Sequence, residues 1–183
     1  MSLLLDALKT SRVRKLRQGI IKTLKDNLPE CEVRPHPGKI DMADVLDGKI
    51  FVVPSIVVAV IRQRAADHRM SGTRDVPVEI AAYIVTDDQA LGNPPKRYER
   101  DEIGLALGDV ILSLIENPDI SRWDQENIDY PSDAQFQPLF TAKSYEKGVA
   151  FYAVTWRQTL YHRGEPWWGA IEPPPLIPAE NKP

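Results

Sequence analysis

Residues 150–161, "AFYAVTWRQTLY", read as one long strand. Side chains two apart on a strand share a face. Tyr152, Val154, Trp156 and Leu160 therefore form an apolar set, and Phe151, Ala153, Thr155, Arg157, Thr159 and Tyr161 a mixed one. The first set is expected in the core. The second is expected to be part core and part contact surface, with Arg157 and Tyr161 at its polar end. Upstream, "FQPLFTAKSY" and the connection "EKG" complete a hairpin, with Gly148 where a positive φ is wanted.

Two more strands precede this hairpin. In "SIVVAVIRQ" (55–63) both alternating sets are apolar, the pattern of a strand covered on both faces. In "VPVEIAAYIVTDD" (76–88) Val78, Ile80, Ala82 and Ile84 oppose Glu79, Ala81, Tyr83 and Val85. The polar stretch "RQRAADHRMSGTRD" between them predicts a hairpin with a long arm, and such loops are often functional. Arg62, Arg64, His68, Arg69 and Arg74 make that arm a candidate contact. "CEVRPHPGKID" predicts a short edge strand running into a turn, and "MADVLDGK" a short helix or turn.

Helical spacing appears twice. From Leu3 to Leu28 the residues Leu8, Val13, Leu16, Ile20, Leu24 and Leu28 mark an apolar stripe beside a basic face, ended by Pro29. In "ERDEIGLALGDVILSLIENP" (99–118) acidic residues open the helix and Ile103, Leu107, Ile111 and Leu114 form the stripe. Gly104 and Gly108 each weaken a helix by roughly 1 kcal/mol relative to Ala, which suggests close packing on the sheet. "QALGNPPKRY" reads as a loop and 118–135 as polar and turn-rich. The order helix, short strand, strand, strand, helix, strand, strand predicts an α+β sandwich of two layers. Its sheet is mainly antiparallel, with both helices on one face. Residues 1–164 form one domain. The stretch 165–183, with six prolines in 19 residues, is an extended tail carrying Trp167 and Trp168. Adjacent tryptophans are unlike a buried face, and tryptophan is enriched at binding hot spots.

Composition narrows the function classes. With 43% hydrophobic and 27% charged residues, the 183-residue chain has the make-up of a soluble domain. A net charge of −3 disfavours a dedicated nucleic-acid binder. Residues 1–30 carry seven Lys/Arg and three Asp/Glu, leaving the remainder at −7, so the two parts suit partners of opposite sign. The longest apolar run, 12 residues broken by Pro54, is short of a membrane span, and "MSLLLDALK" is short of a signal-peptide core. A cytoplasmic protein is expected.

Catalytic patterns are scarce. His36, His68 and His162 lack metal-ligand spacing, no nucleotide or hydrolase fingerprint is present, and no cofactor is implied. Cys31 with His36 is a minimal nucleophile pair. Asp41, Asp44, Asp47, Glu79, Asp87 and Asp88 would have to converge for a Mg²⁺-dependent nuclease.

From about Leu8 to Arg163 the element order resembles the tail-terminator proteins of long-tailed bacteriophages, most like those of Mu-like phages and prophages. "PSIVVAVI", "ERDEIGLALGDVILSLI" and "GVAFYAVTWRQTLYHR" carry the resemblance; the tail "EPWWGAIEPPPLIP" does not match the family's pattern. The resemblance implies a non-enzymatic homo-oligomeric ring, commonly a hexamer, that caps the tail tube, stops its polymerisation and joins tail to head. Its partners would be other copies of itself, the tail tube protein and a head-completion or connector protein, with no membrane and no specific nucleic acid. It would work in the host bacterial cytoplasm and end in the virion. A closed ring uses heterologous contacts, and a basic first helix against an acidic remainder would serve them. Alternatives are a head-completion or neck ring protein, the small nuclease, and a binding module offering "PLIP" as a proline-rich ligand.

Overall fold

The computed structural model describes residues 2–38, 53–64, 67–68, 72–139 and 148–163. It is an α+β fold whose element order roughly matches the sequence expectation. Helices α1 (Leu3–Thr10) and α2 (Arg12–Asn27) are followed by strands β1 (Glu32–Pro35), β2 (Ser55–Gln63), β3 (Asp67–His68) and β4 (Arg74–Thr86). The small hairpin β5 (Gln89–Leu91) and β6 (Lys96–Tyr98) leads into α3 (Arg100–Glu116), and β7 (Ser132–Pro138) and β8 (Ala150–Arg163) close the fold. The main sheet has the order β1-β2-β4-β8-β7, with β3 on β4. Its pairings are antiparallel except β1 with β2.

One apolar layer joins the helices to the sheet. Leu16, Ile20 and Leu24 of α2 and Leu107, Ile111 and Leu114 of α3 share a core with Ile56, Val58, Ile80, Ala82, Ile84, Val154 and Trp156. Both helices thus lie on the face that the alternation of β4 and β8 assigned to the core. On the opposite face Val57, Ala59, Ala81, Tyr83 and Ala153 are also buried, as the doubly apolar pattern of β2 requires.

The two glycines of α3 are where helix and sheet come closest. A Cβ on Gly104 would stand 2.2 Å from a ring carbon of Tyr152, and one on Gly108 2.5 Å from a ring carbon of Phe136. Those rings stack on each other, centroids 5.2 Å apart and planes 11° from parallel. The helix sits down on an aromatic pair, so the propensity cost of two glycines is offset by contact.

A second lock holds the segment between α3 and β7. The side chain of Gln158 is buried, on the helix face of β8. Its Oε1 accepts from the indole N–H groups of Trp123 at 2.7 Å and Trp156 at 3.1 Å. Its Nε2 donates to the carbonyls of Ser121 at 2.9 Å and Asp129 at 3.0 Å. Both oxygen lone pairs and both N–H groups of the amide are used. Gly19 admits the Trp123 carbonyl, which would lie 2.3 Å from an added Cβ. Arg12 donates to the carbonyls of Glu126 at 2.7 Å, Asn127 at 2.8 Å and Tyr161, fastening the start of α2 to the end of β8.

Several expectations are corrected. The stretch from Leu3 to Leu28 is two helices, because Ser11 is extended and its Oγ accepts from the Arg14 N–H to start α2 afresh. Leu8 consequently leaves the core stripe and is 47% exposed. "QALGNPPKRY" is not plain loop but the β5–β6 hairpin, turned at Gly92 with φ +89°. The polar region expected to reach residue 135 ends earlier: Ile128 bridges Leu160 and β7 begins at Ser132. Part of the arm rejoins the sheet, where Asp67 and His68 pair with Asp75 and Arg74. "MADVLDGK", most of the β7–β8 connection, Arg69 and the 165–183 tail lie outside the described residues.

Alanine at Gly104 or Gly108 is expected to destabilise the protein. Overpacking of about 1–3 kcal/mol exceeds the gain of roughly 1 kcal/mol in helix propensity. Urea unfolding of each variant checks this; a midpoint above wild type would mean that the rings do not bear on the helix.

Candidate functional site

The outer face of the sheet ends in a row of charges. Arg62 of β2, Glu79 of β4 and Arg157 of β8 are direct neighbours across the strands. Arg157 Nε stands 3.1 Å from Glu79 Oε1 and its Nη1 3.0 Å from Asp133 of β7; Arg62 Nε is 3.5 Å and Arg64 Nη2 3.9 Å from Glu79. Within this row three guanidiniums face two carboxylates. Glu79 is the shielded member, its side chain 18% exposed, while those of the arginines are 53–57% exposed.

Backbone irregularities aim this row. The register shifts between Val60 and Arg62, which turns Arg62 to the same face as Glu79. It shifts again between Ser132 and Gln135, where Asp133 has φ +53° and swings its carboxylate to Arg157. A third shift lies between Arg74 and Val76, opposite His162 with φ +54°. Bulges of this kind re-aim side chains at a sheet's functional end.

Of the residues singled out from the sequence, Arg62, Arg64 and Arg157 come together here. Tyr161, on the same strand face as Arg157, donates from its hydroxyl to Asp129 at 2.6 Å. Arg74 is exposed at the start of β4 and His68 sits opposite it in β3. Arg69, Trp167 and Trp168 lie outside the described residues, so the arm tip and the tryptophan anchor are not placed. Asp133 and the pairing role of Glu79 went unrecognised, because a bulge leaves no mark in alternation.

The acids of the nuclease reading are used otherwise. Glu79 is held among arginines, whereas Asp87 and Asp88 follow the far end of β4. Asp88 accepts from Arg97 at 2.7 Å and from the Arg100 N–H at 3.1 Å, and these bonds, the Arg97 one foremost, hold its carboxyl below the usual range. Asp41, Asp44 and Asp47 are outside the described residues.

The helix layer carries a different feature, an open cleft of about 920 Å³. The end of α2, the β5–β6 hairpin and α3 enclose it, with Leu28, Cys31, Leu91, Tyr98, Ile103 and Leu107 in its walls. Burial, reinforced by Glu30, pushes the Cys31 thiol up to about 11. His36, its expected base, has Nδ1 2.7 Å from the Gly38 carbonyl within its own turn. A desolvated thiol is a poor nucleophile, since the thiolate is the reactive form.

Two measurements test these assignments. Glu79→Gln is expected to cost ~1 kcal/mol at low salt, with the loss shrinking in 1 M NaCl as the arginines are screened from one another. A loss independent of salt would make the row a packing feature. Alkylation of Cys31 by iodoacetamide at pH 8 should be about 100-fold slower in the folded than in the urea-unfolded protein; equal rates would mean an unshielded thiol.

Among known proteins the chain matches no protein-family model and no curated relative.

Proposed function

We propose that this chain is a non-enzymatic phage tail assembly protein, a tail terminator. Copies of it form a ring, commonly hexameric in the family it resembles, that caps the tail tube, stops its growth and joins the tail to the head. One observation carries the reading. The element order that prompted the resemblance folds as a two-layer α+β body, and three of the residues singled out as contacts lie together on its outer sheet face. Arg62, Arg64 and Arg157 there form a charged, solvent-facing patch, the kind of surface that sets register between subunits. No helix among the described residues is long and apolar enough to cross a membrane.

In this reading the tail tube protein and a head-completion or connector protein are the partners. Trp167 and Trp168 anchor the tail onto a neighbouring subunit. A head-completion or neck ring would share the ring and differ in meeting the portal side.

Native mass spectrometry and negative-stain microscopy of the protein, alone and with purified tail tubes, test the proposal. Rings, or tubes capped at one end and fixed in length, are the expected result, and deletion of 165–183 should weaken them. A monomer that leaves the tubes uncapped would overturn it.

A further inference from the structure

Helix α1 buries none of its residues. Leu3, Leu4, Leu5 and Leu8 are 88%, 67%, 46% and 47% exposed, a concentration of large apolar side chains found on no other helix of the described chain. Leu8 follows Leu4 by four residues and Leu5 by three, so it neighbours both and the three line one side of the helix. The helix is set apart from the body by the extended Ser11. An apolar face of this kind on a folded protein marks an interaction site.

The same molecule carries a cavity of matching character. The cleft between the end of α2, the β5–β6 hairpin and α3 is walled by apolar side chains, and Leu91 on its rim is itself 47% exposed. Its described lining includes the carboxylates of Glu30 and Glu102 and no cation. The helix that would fill it carries Asp6 in its first turn and Lys9 in its last, so its Lys9 end is the one whose charge is opposite to the cleft's carboxylates.

The two cannot meet within one chain. The cleft lies at the far end of α2, beside Leu28. At 1.5 Å per residue α2 spans about 24 Å, whereas α1, hinged at Ser11, reaches back only about 12 Å. A knob and a socket on different parts of one surface make a heterologous contact, which propagates from copy to copy and closes when the rotation allows.

We infer that the leucine face of α1 docks into the cleft formed by α2, the β5–β6 hairpin and α3 of a second copy of this chain. The inference rests on the ring reading above and names the contact that would build the ring.

Complementary variants test it. Leu5→Glu with Leu8→Glu disables the knob and leaves the cleft, while Ala106→Arg fills the cleft from an exposed position on α3 and leaves the knob. These side chains are solvent-facing, so both proteins should fold, which circular dichroism verifies. By native mass spectrometry each variant alone should lose the ring, with its assembly constant weakened at least about 100-fold. An equimolar mixture should give 1:1 heterodimers and no closed ring, because one intact knob meets one intact cleft. Wild-type rings with variants that assemble equally well would overturn the contact and leave the ring reading standing. So would a mixture that behaves as the two variants do separately. A wild type that stays monomeric alone and on tail tubes would overturn both.

Discussion

The ring of Tyr152 occupies the volume that a side chain on α3 would need, and the rest of the helix layer is arranged around that fact. Only glycine at 104 and 108 lets the helix axis come down onto the Tyr152–Phe136 stack. This contact fixes the height of α3 above β7 and β8. That height in turn determines how Ile103 and Leu107 meet Leu28 across the cleft, and where β5 and β6 hang from the start of the helix. Asp88 completes the geometry by holding Arg97 of the hairpin and the Arg100 N–H at the first turn of α3. A local sequence cost is therefore a global packing gain, and the wall of the apolar cleft inherits its position from it.

The body is thus fastened at both ends by different chemistry. At the α3 end the fastening is shape. At the far end it is hydrogen bonding, through Gln158 inside and Arg12 outside. Between them the outer sheet face shades from apolar at Phe151 and Ala153 to ionic at Arg157, so one strand serves as core and as surface in succession. The mixed face expected for β8 is this gradient.

How much of this was legible in the sequence follows from what each element depends on. The strands announced themselves because burial on both faces dictates a continuous apolar run, as in β2, and burial chiefly on one face dictates alternation, as in β4 and β8. The α3 glycines were legible as a cost in search of a compensation. The break at Ser11 was not, because Leu8 continues the apolar spacing while a single serine redirects the backbone. Nor was Gln158, whose polarity suggests surface until the two indoles that need its oxygen are found beside it. The candidate charge row was half visible. Its arginines stood out by type, but their common partner depends on register shifts at Arg62 and Asp133, which are decided by pairing across strands.

The sheet's two margins have a quieter implication. β1 and β7, the outermost strands, each finish on a proline, Pro35 and Pro138, and β7 is further bent at Asp133. A proline offers no N–H to an incoming strand, and a bend spoils the straight template that strand addition needs. Copies held at high local density therefore have little means of zipping their sheets together end over end. An incoming strand would meet a missing donor at each margin, which leaves side chains to carry any contact made there.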